Sequence, residues 1–167
     1  KLLELWGRIA PAYPDWTLEI YGDGALRPDL EQQVNRLGLS SSVILAKPTH
    51  QMKEVYQSAS IYAMTSRYEG LPMVLIEAQH MGLPIVSFAC PCGPKDVLHS
   101  GEDGYLISPG DDDDFLMALR QLMDSEAERV RMGANARKAS ARYEVDAVMG
   151  QWLDLFSSLV PNKSSAV

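Results

Sequence analysis

The chain has 167 residues, 46% hydrophobic and 22% charged. That size and balance describe one folded globular domain and exclude a disordered tail, a collagen-like chain and a coiled-coil fibre. A net charge of −7 argues against a general nucleic-acid surface, although a helix N-terminus can hold phosphate without any lysine.

Leu2, Leu5, Trp6, Ile9 and Tyr13 recur at intervals of three and four, an apolar stripe that predicts a helix ended by Pro11 and Pro14. This opening also carries Lys1, Glu4 and Arg8, unlike a secretory signal. Residues 17–21 read as a strand closed by Gly22, Asp23 and Gly24. Pro28 starts a second helix through Leu30, Val34 and Leu37, stopped at Gly38. Residues 43–45 predict a short strand, 52–58 a short helix and 61–65 another strand. A helix over 75–81, closed by Gly82, precedes a strand over 85–88. The apolar run 73–76 ends at Glu77, far short of the roughly 20 residues of a membrane span. Cys90 and Cys92 are too close and too few for a disulfide scaffold, which points to a reducing cytosol. The last strand is expected at 105–107. Pro109 and Gly110 then turn the chain into a helical end over 115–123, 126–143 and 146–159, with 161–167 expected to fray.

Strands alternating with helices predict an α/β fold: a doubly wound, mostly parallel sheet with helices on both faces and a helical C-terminal end. The strands are short and nearly continuously apolar, as strands buried on both faces should be. No linker or internal repeat divides residues 1–160, so one domain is expected there. The chain opens in a helix, whereas a doubly wound domain opens with a central strand. The expectation is a domain whose first strand precedes these residues, as in a truncated or excised piece.

The informative segment runs from Ser66 to Pro84. It follows a strand and enters a helix, which puts it at the carboxyl end of the sheet, where such folds bind ligands. Glu69 falls in the loop, and Glu77 lies on the helix about one turn beyond Met73. Both carboxylates can therefore face one crevice. Amides of Gly70, Leu71 and Met73 stand near the helix N-terminus, a favourable place for a diphosphate. From these residues alone, a capped helix with two solvated glutamates is the alternative.

Other clusters read as structural. The aspartates at 111–114 come after Pro109-Gly110 and precede a helix, where they cap it and complement its dipole rather than hold a metal. Cys90 and Cys92, with His80 or His99, lack the second cysteine pair of a zinc site. His50 and His80 read as surface residues. Arg129, Arg131, Arg137, Lys138 and Arg142 read as a solvated helix face beside Glu126 and Glu128.

Glu69 and Glu77, with seven residues between them and succeeded by Ala78, Gly82, Leu83 and Pro84, resemble the signature of the family-four retaining glycosyltransferases, group 1 type. Residues 16–24, ending in Gly22-Asp23-Gly24, resemble the family's second strand and its glycine turn. Cys90-Pro91-Cys92-Gly93-Pro94, the Gly101-to-Ile107 stretch and the terminal helices with Trp152 resemble the family's segments beyond the signature, so the likeness covers roughly residues 1–160. It implies the carboxyl-terminal, Rossmann-like, donor-binding half of a two-domain GT-B enzyme. That enzyme transfers a hexosyl or N-acetylhexosaminyl group, with retention, from a nucleotide sugar (UDP is the nucleotide implied) to a glycan or lipid-linked acceptor.

Residue by residue, the resemblance implies that Glu77 holds the ribose and that Glu69 holds the transferred sugar as the catalytic carboxylate. Gly70, Leu71, Pro72 and Met73 lie along the diphosphate and donor sugar, Gly22 and Gly24 form the turn beneath it, and Lys47, Pro48 and Lys53 stand beside the base. It implies no cofactor, no metal, no nucleic-acid partner, and an acceptor bound through an amino-terminal domain. It also implies a cytoplasmic location that extends, for the parent enzyme, to peripheral association with the inner face of the membrane. Three departures accompany it. Leu71 and Pro72 replace the common Phe-Gly and remove one loop amide, Ala46 stands where glycine is common, and the family's phosphate-binding Arg and Lys precede these residues, so the fragment alone is expected to be inactive. The competing readings are a catalytically silent nucleotide-sugar-binding module and a nucleotide-sugar epimerase of GT-B shape.

Overall fold

A computed structural model describes residues 1–159; the tail expected at 161–167 lies outside them. Five strands, β1 (Leu18–Tyr21), β2 (Val43–Ala46), β3 (Tyr62–Met64), β4 (Ile85–Phe88) and β5 (Gly104–Ile107), alternate with helices. The helices are α1 (Leu2–Ile9), α2 (Arg27–Arg36), α3 (Met52–Ser58), α4 (Met73–His80), α5 (Pro94–Val97), α6 (Asp112–Asp124), α7 (Glu126–Ser140) and α8 (Val145–Leu159). α1 buries Leu3, Leu5, Trp6 and Ile9 and passes into a 3-10 turn over Ala10–Ala12, where Pro11 sits without disrupting an α-helical bond. The predicted helix over 126–143 likewise stops at Ser140 and ends in a 3-10 turn, Ala141–Tyr143. α5, not anticipated from the sequence, has one turn only and so carries no periodic stripe to read.

Every strand pairing is parallel. β1 pairs with β2 (Leu18 opposite Val43, Tyr21 opposite Ala46), and β4 lies between β3 and β5 (Tyr62 opposite Ile85, Ile85 opposite Gly104). The ladders form a pair and a triple rather than one continuous sheet, because β1 and β3 do not bond to each other. β4 is buried along its whole length, and its alternating side chains feed opposite layers. Val86 and Phe88 pack with α1, α6 and Met132, while Ile85 packs with Tyr56 of α3 and Leu75, Ile76 and Ala78 of α4.

α6 and α7 begin on side-chain caps: Asp111 accepts from the Asp114 amide at 3.2 Å, and Ser125 accepts from the Glu128 amide at 3.2 Å. α8 buries none of its side chains, and Val145, Val148, Met149, Trp152, Phe156 and Leu159 lie on its exposed surface. Among the described residues no helix is long and apolar enough to cross a membrane.

The tightest helix contact joins α4 to α7. A Cβ on Gly133 would overlap the Gly82 carbonyl oxygen, so the two backbones meet with no side chain between them. Arg137 reaches across the same contact to the carbonyls of His80 (3.3 Å) and Met81 (3.5 Å), meeting acceptors that the end of α4 leaves free. An alanine in a helix interior is ordinarily better than glycine by roughly 0.5–1 kcal/mol. Here the sign should reverse. Gly133→Ala is expected to cost about 1–3 kcal/mol, read as a lower urea midpoint at unchanged slope; a stabilised variant would mean that the contact is looser than described.

Candidate functional site

The parallel registers bring strand ends to common levels. Gly22 donates its amide to Ala46 O at 3.1 Å, just past β1 and β2, and Ala89 donates to Ile107 O at 2.7 Å, just past β4 and β5. Arg27 at the start of α2 straps the first pair, donating to Leu45 O (2.7 Å) and Gly22 O (3.3 Å) while Glu31 holds its Nε at 2.9 Å.

Pro72 is the N-cap of α4 and is buried. It has no N–H to leave unsatisfied, and its carbonyl accepts from Leu75 at 2.9 Å. The amides of Met73 and Val74 open the first turn without intrahelical partners. Beside this loop lies the turn over residues 90–93. Gly93 has φ +88°, and a Cβ on it would overlap Gly70 O and Pro72 Cδ. The turn therefore supports the loop from behind through bare backbone. Glu69 is half-buried in the same loop, whereas Gly70, Leu71 and Met73 are exposed. Burial, with the Glu69 charge second, pushes the Cys90 thiol up.

Glu77, one turn along α4, is exposed, and the Tyr56 hydroxyl donates to its Oε2 at 3.0 Å. Tyr56 itself is only 6% exposed, and its ring lies 6.1 Å from that of Tyr62. Burial pushes the Tyr62 phenol up to about 12, and the charges of Glu77 and then Glu69 push the same way. One phenol thus senses both carboxylates.

A cavity of about 780 Å³ runs between β1 and β3. Its carboxyl-end mouth is lined by Gly22, Pro48, Tyr56 and Glu77, and its floor by Trp6, Ile20, Ala63, Leu119 and Met123. It brings together Gly22, Pro48 and Glu77 of the residues singled out in the sequence. Glu69, Gly70, Leu71 and Pro72 stand on the neighbouring loop and Met73 opens α4, none of them in its wall. Gly24, Lys47 and Lys53 lie outside it, and all three are exposed. Tyr56 and Arg27 escaped the sequence reading. Tyr56 shares a helical stripe with Met52 and Val55 and reads as core, and Arg27 reads as an ordinary first-turn residue.

The other charged clusters hold the helices together. Asp112 pairs with Lys1 at 2.5 Å, and Asp113 pairs with Arg8, so beyond capping the acidic run ties α6 to α1. The late basic residues are not simply solvated. Arg129 donates to Leu122 O (2.6 Å) and Met123 O (3.1 Å), Arg142 donates to Val97 O (2.8 Å), and Arg131 pairs with Glu128 (2.8 Å). The carbonyls that Arg129 and Arg142 meet belong to neighbouring helix ends, which sequence spacing does not reveal. Among the described residues no three His, Cys, Asp or Glu side chains cluster to hold a metal.

The architecture is one half of a GT-B glycosyltransferase. It matches the crystal structure of a Staphylococcus aureus TarM mutant bound to fondaparinux, α-GlcNAc-glycerol and UDP, with TM-score 0.87 and 25% identity over 93% of this chain and 32% of that one. The fold is also that of Anabaena HepE in complex with UDP, with TM-score 0.85 and 24% identity over 95% of this chain and 44% of the other. The chain belongs to the glycosyl transferases group 1 family, whose model matches residues 1–139. The amylovoran biosynthesis glycosyltransferase AmsD of Erwinia amylovora is 34% identical over 157 residues. That match takes in 94% of this chain and 44% of AmsD, so the chain spans less than half of that relative.

The raised tyrosines give the fold an alkaline limit. Tyr56 and Tyr62 both have native pKa values above the ordinary 10, burial being the first cause. The native state therefore holds these protons more tightly than the unfolded chain, and the resulting stability is complete below about pH 10. It is lost as pH rises through about 12, the Tyr62 value. Urea unfolding as a function of pH should show a decline across that window which Tyr62→Phe makes shallower; an unchanged slope would assign the decline to other groups.

Proposed function

We propose that this chain is the donor-binding half of a retaining glycosyltransferase that takes a hexose or N-acetylhexosamine from a UDP-sugar. The observation that carries the reading is the placement of Glu69 and Glu77 on either side of the α4 N-terminus, close enough to one phenol for both to shift it. The UDP held by TarM, a structure sharing 25% identity and this fold, supports the choice of nucleotide.

In this reading Glu77 accepts hydrogen bonds from the neighbouring ribose hydroxyls, a task that suits a carboxylate because charge strengthens both bonds. Glu69 accepts from hydroxyls of the transferred sugar and holds its ring, forming no covalent bond. The Met73 and Val74 amides and the dipole of α4 face the diphosphate and stabilise the negative charge that grows on it. The acceptor hydroxyl attacks the anomeric carbon from the face that the diphosphate leaves. Its new bond to that carbon replaces the bond from carbon to the phosphate oxygen, its proton passes to a phosphate oxygen, and UDP departs. No step calls on a metal. Lys47, Pro48 and Lys53 stand on the nucleobase side of the site, and Gly22 and Gly24 form the turn that lets the ligand approach the sheet edge.

The acceptor, a glycan or lipid-linked sugar, binds to a part of the protein beyond these residues, and the enzyme works in the cytoplasm at or near the inner membrane face. The same remainder supplies a parallel strand to the apolar slot between β1 and β3, joining the two ladders at the position that doubly wound sheets give to their first strand.

Removing a charged hydrogen-bond acceptor costs about 1.5–3 kcal/mol, or roughly 10- to 150-fold in affinity. Calorimetric titration of the whole protein with UDP should show that loss for Glu77→Ala, little change for Glu69→Ala, and a large fall in turnover for Glu69→Ala. Equal losses in the two variants, or none at Glu77, would sink the assignment. The same titration repeated in EDTA should give an unchanged affinity. A loss restored by manganese would overturn the metal-free mechanism.

A further inference from the structure

We propose that Tyr56 is a positioning residue that sets the Glu77 carboxylate for ribose recognition and thereby gives the site its preference for a ribonucleotide over a deoxyribonucleotide. This rests on the ribose role of Glu77 above and adds the device that makes it selective. An exposed glutamate ordinarily samples many rotamers, and two vicinal hydroxyls are gripped by one carboxylate only if its plane is held. Glu77 is exposed, and Tyr56 is the one hydrogen-bond partner its side chain has among the described residues.

That partner is fixed. Tyr56 is 6% exposed on α3, across the crevice from α4, and packs with Met64, Leu75 and Ile76 while Tyr62 tilts against its ring. Its hydroxyl has one proton and donates it to Oε2. Oε1 and the second lone pair of Oε2 stay available for two sugar hydroxyls. Burial keeps the phenol protonated well above neutrality, so the donor persists throughout the pH range in which an enzyme works.

The test is a set of titrations of the whole protein with UDP and with 2′-deoxy-UDP. Tyr56→Phe keeps the buried ring and removes only the hydroxyl. It should weaken UDP about 3- to 10-fold, the range expected for one hydrogen bond, and weaken 2′-deoxy-UDP less, narrowing the ratio between them. In the Tyr56→Phe/Glu77→Ala double variant the two losses should fall short of additive, because the tyrosine acts through the glutamate. A merely structural tyrosine would weaken both nucleotides equally or add its loss to that of Glu77→Ala, and either result overturns the proposal. Were Glu77→Ala to bind both nucleotides normally, the ribose assignment itself would fall. Were Glu77→Ala to lose affinity while Tyr56→Phe kept the full ratio, only the role of Tyr56 would fall.

Discussion

The position of α4 is the constraint on which the rest depends, and it is imposed at three points, one within its eight residues and one just beyond each end. Its start is backed by Gly93 against Gly70 and Pro72, and its end by Gly133 against Gly82. In between, the buried Gln79 donates its Nε2 to Val97 O at 3.1 Å and to Asp103 Oδ2 at 3.2 Å, while Asp103 also accepts from the His99 amide at 2.8 Å. Two of these points are bare backbone contacts, which side-chain rotation cannot relax. The third is a buried polar network, costly to break in a low-dielectric interior. A helix held this way fixes the N-terminal amides and the backbone of Glu77, whose carboxylate the Tyr56 hydroxyl then meets, and preorganised groups need no rearrangement when charge develops beside them.

The charge pattern of the chain is consistent with such a site. Its net charge is −7, and Arg8, Arg27, Arg131 and Lys1 pair with carboxylates while Arg129, Arg137 and Arg142 bond to carbonyls. These cations are committed to holding the fold together. The N-terminus of α4 offers an anion its backbone amides and helix dipole, an arrangement that tolerates an acidic domain.

The two ladders give the sheet its second distinctive feature. β1 and β3 each offer an inner edge to the same slot, whose floor is apolar and whose mouth carries Gly22, Tyr56 and Glu77. Unpaired strand edges are a template for another strand. A seated strand would tie β1 to β3, the two edges that flank the slot. α8, with its exposed Trp152, Phe156 and Leu159, is a second surface that the described residues do not cover.

Much of this was legible in the chain itself. The alternation of apolar runs with turn residues set the order of strands and helices, because burial on both faces and the 3.6-residue period leave marks in local sequence. The Glu69-to-Glu77 spacing likewise marked the loop and helix that carry the candidate site, since a strand leading into a helix start lies at the carboxyl edge wherever the other elements pack. What local pattern could not supply was partnership at a distance. That Tyr56 donates to Glu77, twenty-one residues away, that Gly93 stands behind Gly70, that Arg137 caps α4, and that the strands divide into a pair and a triple are all contacts between segments with no mutual signature in sequence. They arise from close packing of whole elements, in which a residue's role depends on what the fold brings against it.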